Sequence, residues 1–250
     1  MTKKITIADL QAKKNIEKIV ALTAYDYSMA RIEDESGVDI VLVGDSLGMV
    51  IMGREDTLSV TMMEMIHHTR AVTRACLRAF VVADMPFLSY GVETKTTLHH
   101  AGSLIKKGGA HAVKIEGGLS QASSIKAMTS LGIPVLAHIG MTPTHVHQKS
   151  GYHVQGKGKD ARALMFEDAH AVEEAGAFAV VLECIPAELA REITAALRIP
   201  TIGIGAGPFC DGQILVAHDM LGMYHGKPAR FVKKYAELHH TMMDAFAKYQ

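Results

Sequence analysis

No stretch of this sequence concentrates charge of one sign: Lys and Arg number 26 together, and so do Asp and Glu. The electrostatic stripe that holds a nucleic-acid backbone is therefore missing, and no nucleic-acid partner is expected. Nor do eighteen apolar residues run together anywhere, and the basic N-terminal stretch is not followed by an apolar core. That leaves neither a membrane span nor an export signal to read, so the expectation is a soluble, cytoplasmic protein with no membrane partner. Cysteine is scarce. Cys76, Cys184 and Cys210 are odd in number, widely spaced and without a CxxC pair, a pattern that suits thiols in a reducing compartment better than a disulfide framework. Cys184 follows an acid at the end of an apolar run, where a small apolar filler is the commoner reading than a nucleophile. A GxGxxG motif after the first apolar run is absent too, which removes the usual mark of an open, doubly wound dinucleotide sheet.

What is present is a series of short apolar runs that stop at polar residues. Val38 to Val43 reads VDIVLV, has almost no polar face and halts at Gly44-Asp45-Ser46. Such a run suits a strand buried on both sides, as in a parallel sheet covered by helices. Phe80 to Ala83 halts likewise at Asp84, and PVLAHIG carries His138 near its end. AFAVVLE delivers Glu183, and AHAVKIEGG ends on Lys114 and Glu116, two residues apart and so on one face. Between the runs, apolar residues fall at helical spacing, as at Met65, Thr69, Val72 and Cys76, and several of these stretches are closed by glycine, at Gly108, Gly132 and Gly176. Eight such runs within 250 residues predict an α/β (β/α)8 TIM barrel. It is read as one domain over 1–250, with a short N-terminal extension and a C-terminal helix from Ala229 to Lys248. The eighth run, Gln213 to Ala217, is the weakest, since a short helix could claim the same residues.

On a barrel, Asp45, Asp84, Glu116, His138 and Glu183 converge on the carboxyl-end mouth, joined by Lys114. Carboxylates crowded into such a mouth repel one another and resist ionising together. Any one of them could simply pair with Lys114 or a helix terminus; for all of them at once, a hard divalent cation is the simpler remedy, held by two carboxylates, waters and substrate oxygens. The stretch Met141 to Lys159 has no helical or strand period and reads as a lid or binding loop. His145 and His147 within it superficially resemble a metal pair but lie away from the strand ends. Gly203 to Gly207 follows the seventh run, where barrels often hold phosphate, although a tight turn explains the glycines as well.

Seven blocks resemble the ketopantoate hydroxymethyltransferase family in order: LTAYDYSMA, DIVLVGDSLGMV, TLSVTMMEMIHHTRAV, VVADMPFLSY, GAHAVKIEGG, GMTPTHVHQKSGYHVQGK and TIGIGAGPFCDGQILVAHDMLGM. The resemblance runs from about Ile19 to Met223; Ser59 and Ser150 depart from the family pattern away from the strand ends. It implies a barrel of the phosphoenolpyruvate/pyruvate type that transfers a hydroxymethyl group from 5,10-methylenetetrahydrofolate to 3-methyl-2-oxobutanoate, giving 2-dehydropantoate for pantothenate and coenzyme A. A homo-oligomer, often a decamer, is also implied. By matching motifs, Asp45 and Asp84 correspond to Mg²⁺ ligands, with Glu116 in the metal shell directly or through water. Asp45, Ser46, Asp84 and Lys114 correspond to keto-acid contacts, and Glu183 to the catalytic base. A Mg²⁺-dependent C–C or C–P lyase or mutase of 2-oxo acids would use the same barrel without folate, and a non-catalytic binding barrel is the alternative of a different class.

Overall fold

In the computed structural model, which describes residues 3–223 and 229–250, the apolar runs become eight strands. They are β1 (Ile19–Thr23), β2 (Ile40–Val43), β3 (Phe80–Asp84), β4 (Ala112–Glu116), β5 (Val135–Gly140), β6 (Ala179–Glu183), β7 (Thr201–Ile204) and β8 (Gly212–Leu215). Each pairs in parallel with the next, and β8 closes on β1, so the sheet is a closed barrel with no free edge.

The helices that cover it are α1 (Ile7–Ala12), α2 (Tyr27–Glu35), α3 (Leu47–Val50), α4 (Met62–Ala75) and α5 (Thr94–Ser103), followed by α6 (Ala122–Ser130), α7 (Lys159–Glu174), α8 (Ala187–Ala196), α9 (Ala217–Met220) and α10 (Leu238–Tyr249). The expected signals start and stop them. Thr61 and Glu64 form a reciprocal capping box that opens α4, whose buried stripe is Met65, Thr69, Val72 and Ala75. Gly37, Gly132 and Gly176 take positive φ just beyond a helix, and Gly109 does so after the π turn Leu104–Gly108 that continues α5, the conformation glycine adopts without strain.

Strand alternation sorts the core into two clusters. Val41, Val43, Val81, Ala83, Val113 and Ile115 face outward and pack with the helices. Ile40, Leu42, Phe80, Val82, Leu136 and Val181 face inward and fill the barrel. The N-terminal extension closes the lower end. Leu10 of α1 is wholly buried among the inward residues, while Lys13 and Lys14 hold Asp39 and Asp211 at 2.9 Å each.

Two boundaries differ from the sequence reading. The eighth strand ends at Leu215, and Ala217 already opens α9. The C-terminal helix begins at Leu238, not Ala229, and buries none of its residues. The segment before it runs back along α9, with the Tyr235 and Leu238 amides donating to the Met220 and Leu221 carbonyls. Those amides are thereby committed to partners outside a helix.

Candidate active site

A cavity of about 830 Å³ lies at the carboxyl ends of the strands, and Asp45, Ser46, Asp84, Lys114, Glu116, His138 and Glu183 all line it. All the predicted mouth residues are thus brought together. The same alternation that turns Val82, Ala112, Leu136 and Val181 inward turns Asp84, Lys114, His138 and Glu183 inward one step further along each strand. Parallel register then makes neighbours of them: Asp84 stands opposite Lys114, and Glu116 opposite His138.

The contacts follow from that register. Lys114 Nζ lies 3.0 Å from Asp84 Oδ1 and 3.6 Å from Glu116 Oε1. Its distance to His138 Nδ1 is 3.3 Å. His138 in turn reaches Glu116 Oε1 at 3.4 Å and Glu183 Oε2 at 3.2 Å. The last contact is close enough for an ion pair, but Nε2 is off the line of a hydrogen bond. A chain of charged side chains therefore spans β3 to β6.

Asp45 and Ser46 occupy the turn after β2. The Asp45 amide donates to Asp84 Oδ2 at 3.1 Å, and Gly44 permits this approach: a Cβ there would lie 2.7 Å from Ser46 Oγ. Ser46 Oγ is 2.8 Å from the Tyr25 hydroxyl. Tyr25 itself is buried beyond the end of β1.

Burial raises the Asp45 carboxyl well above the usual range, and the charges of Asp84 and Glu116 push it further the same way. Asp84 is also raised by burial, with Lys114 pulling against the shift. For Glu116, burial pushes upward, but Lys114, His138 and Thr144 together outweigh it and hold the carboxyl well below the usual range. Burial and Lys114 lower His138, yet Glu116 and Glu183 leave it net raised. Lys114 remains an ammonium: three carboxylates overcome its desolvation.

Glu116 is the most restrained of these acids. The Thr144 amide and hydroxyl both donate to its Oε2, at 3.0 and 2.6 Å. Its own amide donates to the Tyr90 hydroxyl at 3.0 Å. Thr144 belongs to the stretch from Met141 to Lys159, which contains one short 3-10 turn, Pro143–His145. This loop forms a wall of the cavity through Pro143, Tyr152, His153, Val154 and Lys157. Sequence reasoning passed over Thr144, Tyr90 and Tyr25 because none is a charged strand end. For Tyr25 the place just beyond the first apolar run was a usable signal.

Glu183 is set by its neighbours. Gly140, at φ +97°, packs against it so closely that a Cβ would meet the Glu183 carbonyl oxygen. Cys184 next to it holds a left-handed φ of +49°, a strained conformation of the kind that collects at functional sites. The Cys184 thiol is pushed up to about 12 by burial and then by Glu183, so it is no thiolate at neutral pH. His147 is largely exposed and lies 3.9 Å from Asp56, while His145 Nδ1 is 3.2 Å from the Thr144 hydroxyl; the two make no metal pair. The glycine turn after β7 packs on Phe231, which a Cβ at Gly205 would meet at 2.7 Å.

For a cation, the donor set is two-sided. Among the described residues no three His, Cys, Asp or Glu side chains close on one point. Asp45 and Asp84 are neighbours whose carboxyls are both raised by burial, Asp45 further by the charge of Asp84 and Asp84 by that of Glu116, and among the described residues Asp84 Oδ1 has no directed hydrogen bond despite Lys114 nearby. Those two suit a hard cation completed by water and substrate oxygens. Both Glu116 oxygens already have protein partners, which suits a contact through water.

Comparison with known proteins follows the same lines. Solved structures share the barrel at low identity. A phosphonopyruvate hydrolase, described in complex with oxalate and Mg²⁺, superposes with a TM-score of 0.66 at 13% identity, covering 99% of this chain and 85% of its own. A 2,3-dimethylmalate lyase, described as a PEP mutase/isocitrate lyase superfamily member, gives 0.62 at 19%, covering 97% and 86%. At such identity the likeness is one of fold. Sequence relatives are far nearer. The 3-methyl-2-oxobutanoate hydroxymethyltransferase of Thermoanaerobacter sp. (strain X514) is 54% identical over 250 residues, covering 100% of this chain and 91% of the relative. That of Clostridium novyi (strain NT) is 56% identical over 247 residues, covering 98% and 90%. The family model for ketopantoate hydroxymethyltransferase matches residues 4–250. The chain belongs to the ketopantoate hydroxymethyltransferase family and is an enzyme, a hydroxymethyltransferase.

Proposed function

We propose that this enzyme transfers a hydroxymethyl group from 5,10-methylenetetrahydrofolate to 3-methyl-2-oxobutanoate, giving 2-dehydropantoate in pantothenate synthesis. The observation that carries the reading is the inward constellation on β2 to β6, which joins two adjacent acids, a buried ammonium and a separate carboxylate in one cavity. The names of relatives more than half identical to this chain support the substrate.

Asp45 and Asp84 would hold a divalent cation, Mg²⁺ being the natural choice for an all-oxygen site; bound there, it stabilises negative charge on the keto and carboxylate oxygens of the substrate. The neighbour described with oxalate and Mg²⁺ supports that choice. Lys114 adds a fixed positive charge at the same place. Its three carboxylate neighbours keep it protonated, so it binds and orients the substrate anion and gives up no proton. Ser46 offers a hydroxyl to the substrate from a position fixed by Tyr25. Glu183 takes the C3 proton, and His138, 3.2 Å from its carboxylate, orients it. The electron pair left at C3 forms the new bond to the folate methylene carbon, whose bonds to nitrogen break. Water supplies the hydroxyl oxygen, and tetrahydrofolate leaves with its two freed nitrogens protonated, one proton coming from that water and the other balancing the C3 proton taken by Glu183. The closed barrel and the loop that supplies Thr144 keep bulk water from the charged end of the cavity.

The direct test is product analysis with purified enzyme, with and without methylenetetrahydrofolate and with the metal added or chelated. 2-Dehydropantoate formed only when folate and metal are both present is the expected result. Cleavage of a 2-oxo acid without folate would replace this reading with the lyase one.

A further inference from the structure

The cavity is divided by chemistry. Strands β2 to β6 end in charged or imidazole side chains, whereas β7, β8 and the segment after α9 contribute Ile204, Ile214, Leu215, Val216, Phe231 and Val232. In the closed ring β8 is diametrically opposite β4, which carries Lys114 and Glu116. At about 830 Å³ the space is that of a drug-sized ligand, far more than a five-carbon keto acid fills. The charged half accounts for the keto acid; the other half has no assigned occupant.

Within the apolar half stands one carboxylate. Asp219, on α9, lines the cavity and is half-buried. Among the described residues its side chain has neither a hydrogen bond nor an ion pair. It is two strands away from Asp45 around the ring, beyond β1, and apart from the chain of contacts that runs from Asp84 to Glu183. Lys157 and Arg230, both exposed, line the same cavity. An apolar slot with a partly exposed phenyl ring, one unpartnered carboxylate within and cations at the rim matches a flat heterocycle with paired N–H donors and an anionic tail.

We infer that this half of the cavity is the donor site, in which Asp219 accepts the N3–H and 2-amino hydrogens of the folate pterin ring. This rests on the reading of the enzyme as a folate-dependent transferase. Phe231 and the β7 and β8 side chains cover the faces of the ring, and Arg230 and Lys157 meet the carboxylates of the glutamate tail. The keto acid, held across the ring at Lys114, then presents C3 toward the donor from the opposite side.

The test is binding of tetrahydrofolate to the full-length wild type and to Asp219→Asn and Asp219→Ala by calorimetry. Exchange of C3 deuterium from labelled keto acid, with Mg²⁺ and without folate, is measured on the same samples. Removing two hydrogen bonds to a charged acceptor predicts a loss in tetrahydrofolate affinity of about a hundredfold or more. Exchange should persist in both variants, which shows that they are folded with the charged half intact. Wild-type affinity in the variants would overturn the assignment of Asp219 alone. Exchange lost together with affinity would overturn the division of the cavity, and a wild type that does not bind tetrahydrofolate would overturn this inference together with the reading beneath it.

Discussion

Thr144 donates twice to one oxygen of Glu116, from its amide at 3.0 Å and its hydroxyl at 2.6 Å. The loop after β5 is thereby tied to a buried acid at the end of β4. A hydrogen bond to a charged group contributes about 1.5–3 kcal/mol, so Thr144→Val should lower kcat by roughly tenfold or more while Thr144→Ser restores most of it. Steady-state kinetics on the three proteins check this; equal kcat for Val and wild type would free Glu116 from dependence on the loop.

Tyr25 and Ser46 form a second such pair, between two neutral groups 2.8 Å apart. Tyr25→Phe removes the partner without changing the packing of the ring. A neutral hydrogen bond contributes about 0.5–1.5 kcal/mol, so the KM for the keto acid should rise by about two- to tenfold with kcat nearly preserved. A fall in kcat with KM unchanged would place Ser46 in the chemical step instead.

Asp84→Asn should remove cation-dependent binding of the keto acid, because it takes one charge from the pair of acids proposed to hold the metal and leaves Lys114 without a partner at 3.0 Å. Loss of one member of a buried charged pair costs about 2–5 kcal/mol, so affinity should fall by roughly thirtyfold or more. Calorimetry with and without Mg²⁺ reads it directly. Unchanged affinity and unchanged metal dependence would exclude Asp84 as a ligand.

Glu33 of α2 lies outside the cavity, and among the described residues both of its carboxylate oxygens are buried without a hydrogen-bond partner. Burial, with Asp26 adding to it, raises its pKa to about 8. Between the ordinary glutamate range and about 8 the folded chain holds a proton that the unfolded chain has released, so stability falls as pH rises through that window. The slope from this group is at most about 1.4 kcal/mol per pH unit. Glu33→Gln should flatten the slope and raise Tm at pH 8, as thermal melts between pH 5 and 8 would record; a variant with the same slope as wild type would mean that Glu33 ionises freely.

The barrel was legible because both faces of its strands are buried, so that Val38 to Val43 and its counterparts have almost no polar face and Asp45, Asp84, Glu116 and Glu183 mark where strands end. The shared face of Lys114 and Glu116 followed from the period of two, and the inward cluster bears it out. Contacts between distant segments were not legible. Thr144 meets Glu116 across 28 residues and Tyr25 meets Ser46 across 21, and no local pattern encodes either pairing. The tail was misread for a related reason: residues from Ala229 onward have a helical composition, but the carbonyls of Met220 and Leu221 take the amides of Tyr235 and Leu238. Asp219 carries no signal in the sequence either, because its meaning depends on which half of the cavity it faces.

The central claim, that Glu183 removes the C3 proton of the keto acid while the acids of β2 and β3 and Lys114 hold the anion, is tested most directly by Glu183→Gln. The amide keeps the shape and the contact with His138 but cannot accept the proton. With labelled 3-methyl-2-oxobutanoate, Mg²⁺ present and folate omitted, the loss of C3 deuterium to water isolates this step. A positioned base speeds such a step by about 10²- to 10⁴-fold, so exchange in the variant should fall by that order while calorimetry shows keto-acid binding retained. Exchange at the wild-type rate would contradict the account and transfer the role of base to His138.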